Sequence, residues 1–239
     1  MHLKITKNLD DLSQQVAGWM VTYIEKILKT KNRFTIVLSG GSTPKNLYQL
    51  LASDKYKNKI DWSKLYFFWG DERYVPFTDE RNNAKMAFEI LLNHVPVLKE
   101  QIHVMRTDID HESSAKGYEK LLHQYFPESN HTFDLVLLGM GSNAHTLSLF
   151  PGYPIINEEK DWVKSFYLKE ENINRITLTA PVVNASACII FLISGSDKAS
   201  ALQHVLKEKF NPNLYPAQII HPYNNELYWW VDEAAAKNL

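Results

Sequence analysis

A chain of 239 residues, 45% apolar and 22% charged, has an ordinary globular composition and is long enough to bury a sizeable core. Its formal net charge of −1 excludes bulk electrostatic attraction to nucleic acid or to a membrane surface, so any anion must be bound by local groups. One cysteine, Cys188, excludes an intrachain disulfide, and no apolar run approaches the ~18 residues of a membrane span, so the chain reads as cytoplasmic.

Residues 9–30 repeat apolar side chains at helical spacing, with Leu12, Val16, Trp19, Met20, Tyr23, Ile24 and Leu28 on one face. Arg33 to Leu38 (R-F-T-I-V-L) reads as a strand. It runs into Ser39-Gly40-Gly41-Ser42-Thr43-Pro44 and then a helix through Leu47, Leu50 and Leu51. Strand, Gly-rich turn, hydroxyls, proline and helix are the layout of an anion site. The glycines let backbone N–H groups approach a phosphate, and the helix N-terminus adds partial positive charge. Pro44 suits the first helical turn. A capped helix after a tight turn needs the same Ser and Thr. The doubled glycine favours phosphate.

Leu65 to Trp69 is a second apolar strand, followed by Gly70-Asp71-Glu72-Arg73-Tyr74-Val75-Pro76. Its charges fall at the carboxyl edge of the sheet, although a lone D-E-R reads as a solvated turn. Asn82 to Leu92 predicts a helix, Ile102 to Met105 a short strand, and Ser113 to Tyr125 another helix. Phe133 to Leu138 is almost wholly apolar and fits a strand buried on both faces of a parallel sheet. It ends in Gly139-Met140-Gly141, a backbone able to turn sharply, and the loop beyond carries His145. In open α/β sheets ligands sit beyond the carboxyl ends of the strands, and histidine suits proton transfer near neutrality. The alternative is a satisfied loop histidine.

Trp162 to Leu168 and Ile176 to Leu178 read as strands, with Arg175 opening R-I-T-L-T-A-P. Cys188 to Ile193 is a buried strand leading into Ser194-Gly195-Ser196-Asp197-Lys198-Ala199 and a helix through Leu202 and Val205. A cation at Lys198 opposes the helix dipole, so either Asp197 offsets it or an anion sits nearby. Leu227 to Val231 reads as a last strand, and Asp232 to Ala236 as a short helical end. This alternation predicts an α/β sandwich, a mainly parallel sheet flanked by helices. With no repeat or long linker, a single domain over 1–239 is expected. The scattered histidines predict no metal site, and there is neither a G-x-S-x-G elbow nor a G-x-x-x-x-G-K-[ST] loop.

Four segments, taken together, resemble the 6-phosphogluconolactonase family, a branch of the glucosamine-6-phosphate deaminase superfamily. They are Leu38 to Pro44, Phe68 to Pro76 around G-D-E-R, Gly139 to Gly152, and the S-G-S-D-K turn; the ending L-Y-W-W-V-D-E-A-A-A also looks like that family's. The resemblance implies a Rossmann-like three-layer sandwich of the deaminase type. It further implies hydrolysis of 6-phosphoglucono-1,5-lactone to 6-phosphogluconate, in the oxidative pentose phosphate pathway, without metal or organic cofactor. A small sugar-phosphate lactone is then the expected partner, with no nucleic acid and no membrane, and the protein a monomer or homodimer. Carried over by residue, the phosphate lies on Ser39, Gly40, Gly41, Ser42 and Thr43, with Arg175 and Lys198 as its cations. His145 is the general base that activates water and returns the proton to the ring oxygen. Arg73 or the N–H groups of Gly139–Gly141 are candidate oxyanion donors, and Asp71 either orients His145 or holds a sugar hydroxyl.

One departure bears on catalysis. Where the family has G-x-D-G-H-T, this chain has Asn143 for the Asp and Ala144 for the Gly. Asn keeps a hydrogen-bond acceptor for the base and loses the charge; in serine hydrolases the corresponding change costs about 10⁴ in rate. A lactone is an activated ester and asks less of its base, and Asp71 is a candidate for the missing carboxylate. Two rival readings follow. Glucosamine-6-phosphate deamination wants the Asp and also a Glu where Phe150 stands. A non-catalytic sugar-phosphate binder fits Asn143 but not the retained His145, Asp71 and Arg73.

Overall fold

The computed structural model describes residues 1–128, 131–224 and 226–239. The chain opens with β1 (His2–Thr6) and α1 (Leu9–Leu28), whose N-terminus is capped by Asn8 accepting from Asp11 N–H. It continues through β2 (Phe34–Leu38), α2 (Ser42–Ala52), the single turn α3 (Asp54–Lys57) and β3 (Leu65–Trp69). Then come β4 (Asp71–Arg73), α4 (Asn83–Ile90), β5 (Ile102–His103), α5 (His111–Tyr125) and β6 (Leu135–Leu138). The last third holds β7 (Val163–Leu168), β8 (Ile173–Leu178), α6 (Ala180–Asn184), β9 (Ile189–Ile193), α7 (Ala199–Lys207), β10 (Leu227–Asp232) and α8 (Glu233–Ala236).

Seven strands form one parallel sheet in the order β1-β10-β9-β6-β2-β3-β5. Every residue of β2, β6 and β9 is buried, as expected for strands covered on both faces. Alternate side chains enter two different cores. Val37, Phe68, Val136, Leu138, Phe191 and Trp229 pack on one face; Ile36, Leu38, Phe67, Leu137, Ile190 and Leu192 pack on the other with the inner side of α1. Helices on both faces make the three-layer sandwich. From β2 the chain steps outward to β3 and β5, and from β6 it steps the other way to β9 and β10. The carboxyl ends of β2 and β6 therefore flank a topological switch point, where such sheets hold ligands. The Ser39–Thr43 turn and the His145 loop leave from those two ends.

Besides the short helices α3 and α6, which the sequence reading does not predict, two elements differ from it. The D-E-R segment is not a solvated turn but β4, the edge of a small antiparallel sheet β4-β8-β7, with Asp71 opposite Thr177 and Arg73 opposite Arg175. Pairing to β8 satisfies its backbone and turns Glu72 inward, where it is 1% exposed. Strand β1 gave no strand signal because, as an edge, it buries only Thr6. Among the described residues, no helix is long and apolar enough to cross a membrane.

Candidate active site

The Ser39–Thr43 turn is held open rather than capped. Helix α2 begins at Ser42 after Gly41 at φ 97°, and no side chain bonds its first N–H groups. A positive φ there is readily adopted only by glycine. Ser39 is pinned on both backbone atoms by Tyr48: its N–H donates to the phenol oxygen at 2.9 Å, and the phenol donates to its carbonyl at 2.9 Å. Buried Tyr48 thus fixes where β2 ends and the turn begins. Unspent N–H groups at the start of an 11-residue helix are ready to receive an anion.

The loop after β6 closes on itself around His145. Gly141 N–H donates to His145 C=O at 2.8 Å, and Thr146 Oγ1 donates to Gly139 C=O at 2.8 Å. The Gly141 N–H is therefore committed, which removes it from the candidate oxyanion donors. Asn143 Oδ1 lies 2.6 Å from His145 Nδ1 and accepts from His145 backbone N–H at 3.3 Å. Because a backbone N–H only donates, the amide must present its oxygen. Nδ1 then carries the proton, and Nε2 keeps its lone pair. Gly141 is required by close approach, since a Cβ on it would stand 2.2 Å from Nδ1. Ala144 adopts φ 64°, a left-handed conformation that costs an alanine roughly 1–2 kcal/mol.

Burial pushes the His145 imidazole down to about 4; Asp71 acts against this, and Arg175, Lys198 and Arg73 reinforce it. At neutral pH the ring is an unprotonated acceptor. Its far face stacks on Phe150, ring centroids 4.2 Å apart, and the Arg175 guanidinium lies over the same phenyl ring at 5.6 Å. Phe150 thus packs against both the neutral imidazole and the guanidinium.

Asp71 is not the partner of His145. Its Oδ2 accepts from Ser148 Oγ at 2.7 Å and faces Arg175 Nη1 at 4.0 Å. It reaches the imidazole only through its charge, so Asn143 is the residue that orients the ring. Arg73 donates from Nη1 to Asn83 Oδ1 at 2.8 Å and to Arg81 C=O at 3.1 Å, and its Nε is buried without a partner. Arg175, 2% exposed, spends Nη2 on Glu171 but leaves Nε and Nη1 without hydrogen bonds. Buried cationic donors left unspent are costly unless a ligand oxygen meets them.

Glu72 braces this wall from behind. Its carboxylate accepts from the N–H groups of Arg73 at 2.9 Å, Asn83 at 2.7 Å and Ala84 at 2.9 Å, tying β4 to the start of α4. Burial nevertheless outweighs those donors, and with Asp71 nearby pushes the acid up to about 7. The folded state therefore binds this proton more tightly than the unfolded state, and the associated stability, about 3 kcal/mol, is present below pH ~4.5 and lost as pH rises through ~7. Chemical denaturation of Glu72→Gln between pH 4.5 and 7.5 should show a flatter stability profile than wild type by about that amount. Parallel profiles would mean that Glu72 does not titrate there.

Ser39, Gly40, Gly41, Ser42, Thr43, Asp71, Arg73, His145, Arg175 and Lys198 line a single cleft of about 220 Å³. Asn143 stands behind His145, and Lys198 enters from the β9 side with Nζ 3.0 Å from Asp197. Asn83, which sequence reading did not single out, lines the cleft and joins Arg73 to the Asp71 backbone. Among the described residues, no group of three His, Cys, Asp or Glu side chains is placed to hold a metal ion. Against known proteins, residues 7–229 match the family described as glucosamine-6-phosphate isomerases/6-phosphogluconolactonase. The chain belongs to this family.

Members of the glucosamine-6-phosphate isomerase/6-phosphogluconolactonase family resemble it along nearly its whole length. The 6-phosphogluconolactonase of Synechocystis sp. is 37% identical over 97% of this chain and 95% of its own. That of Nostoc sp. is 39% identical over 92% of this chain and 90% of its own. The structure of 6-phosphogluconolactonase from Trypanosoma brucei matches with a TM-score of 0.86 at 26% identity, covering 100% of this chain and 98% of that one.

Proposed function

We propose that this protein hydrolyses 6-phosphoglucono-1,5-lactone to 6-phosphogluconate, acting in the cytoplasm. The observation that carries the reading is the pairing, in one cleft, of a neutral His145 held by Asn143 with the uncapped start of α2. Relatives named for this activity support it. The phosphate sits on the Ser42 and Thr43 N–H groups, with Lys198 approaching from the β9 side and Arg175 from the β8 side. His145 Nε2 takes a proton from water as the water oxygen bonds to the lactone carbonyl carbon. Negative charge on the carbonyl oxygen is met by unspent guanidinium N–H groups, foremost those of Arg73. Collapse breaks the bond from that carbon to the ring oxygen, which receives the proton from the imidazolium. The product forms as the carboxylic acid, which releases its remaining proton to solvent and leaves as the carboxylate.

The test uses lactone made in situ by glucose-6-phosphate dehydrogenase, with spontaneous hydrolysis subtracted. A phosphate held by charge-assisted bonds is worth about 3 kcal/mol, so kcat/KM should exceed that for unphosphorylated gluconolactone about 10²-fold. Equal values would sink the phosphate assignment. No acceleration of either lactone, with 6-phosphogluconate still bound, would identify a binder instead.

A further inference from the structure

Asp232 lies outside the cleft, at the end of β10, and is 4% exposed. The mechanism makes no use of it. Its carboxylate is nevertheless fully engaged. Oδ2 accepts from Ser194 Oγ at 2.5 Å, Gly195 N–H shares both oxygens at 3.1 and 3.2 Å, and Oδ1 accepts from Ala235 N–H at 2.8 Å. Two of these three donors belong to the residues that leave β9 for the cleft. Ser194 and Lys198 both line it, and Lys198 N–H donates back to Gly195 C=O at 3.1 Å.

We propose that Asp232 is a positioning residue: by holding Ser194 and Gly195 to the end of β10, it sets the turn that delivers Lys198 into the cleft. The carboxylate acts across the sheet, since β9 and β10 are neighbours in register up to Ile193 opposite Val231. Beyond that pair the ladder ends, and the Asp232 side chain takes over its work for the next two residues. Without the anchor, a lysine with rotatable side-chain bonds samples positions away from the ligand, and the affinity it supplies falls through lost preorganisation. The inference rests on the reading of Lys198 as a phosphate partner, and the test separates the two.

Asp232 also caps α8, so alanine there risks the fold. Asp232→Ser is the sharper variant, because serine still caps a helix but is too short to reach Gly195. In Asp232→Ser, KM for the 6-phosphate lactone should rise about tenfold with kcat within about twofold. Asp232→Asn should restore most of the loss, since one amide oxygen serves Gly195 and Ala235 and the Ser194 hydroxyl can turn to accept from the amide. On a Lys198→Ala background, Asp232→Ser should add less than about twofold. Amide hydrogen exchange is read alongside, and exchange at Gly195 should accelerate at least about tenfold in Asp232→Ser but not in Asp232→Asn. If Lys198→Ala leaves KM unchanged, the phosphate reading of Lys198 fails, and the exchange result alone decides the anchor. Unchanged exchange in Asp232→Ser overturns the proposal. So does faster exchange with unchanged KM when Lys198→Ala raises KM, and so does a fall in kcat at constant KM.

Discussion

Replacing His145 with alanine lowers kcat on the 6-phosphate lactone about 10³-fold and leaves KM within about threefold. The split follows from geometry. On the proposed mechanism His145 meets the attacking water through Nε2, whereas substrate affinity comes from the α2 N-terminus, Lys198 and the two arginines, none of which hydrogen-bonds to the imidazole. The wild-type pH profile carries the same signature. With the imidazole pushed down to about 4 by burial, kcat/KM should hold level through neutrality and fall only as pH drops through about 4, where the base becomes protonated. His145→Ala should lose that acid limb together with the rate. Steady-state assays from pH 3.5 to 8, corrected for spontaneous hydrolysis, give both readouts. A mutant that keeps wild-type turnover would move the base elsewhere, with Asp71, a carboxylate lining the cleft, next in line.

The main sheet was legible in the sequence because its central strands are short runs, apolar without alternation, as strands covered on both faces of a parallel sheet are. The Ser39–Thr43 turn was legible for a different reason: Gly41 at φ 97° leaves a mark in the residue type itself. What could not be read is what depends on contacts between distant segments. D-E-R looked like a solvated turn because its pairing with β8 lies about a hundred residues away in sequence, and only that pairing buries Glu72. Asn83, Phe150 and Asp232 carry no pattern that sets them apart from a helix start, a core aromatic and a strand end. Their places in and around the cleft arise from packing. The sequence likewise offered Asp71 and Asn143 equally as partners for His145, and the geometry divides them: Asn143 touches Nδ1, while Asp71 is spent on Ser148.

That division sets the second large effect, at the position where the resemblance leads one to expect an acid and the chain carries Asn143. In a serine-hydrolase triad, Asp→Asn is ruinous because the amide turns its NH₂ to the imidazole and imposes the wrong tautomer. Here the His145 backbone N–H donates to Asn143 Oδ1, so the oxygen is held toward the ring and the tautomer stays correct. Only the charge is missing. Asn143→Ala should therefore lower kcat about 10²-fold, because the ring loses the acceptor that fixes both its plane and its proton. Asn143→Asp should act in the opposite direction. A carboxylate at the same contact stabilises the imidazolium and raises the His145 pKa by about one to two units, toward the ordinary histidine range. The acid limb then moves to higher pH by that amount, while kcat at pH 7 rises up to about tenfold as the base strengthens and stays unprotonated. The two substitutions together span about 10³ in rate at one position, with KM little changed in both. Equal losses in Asn143→Ala and Asn143→Asp would mean that the amide NH₂, rather than its oxygen, is what the site uses.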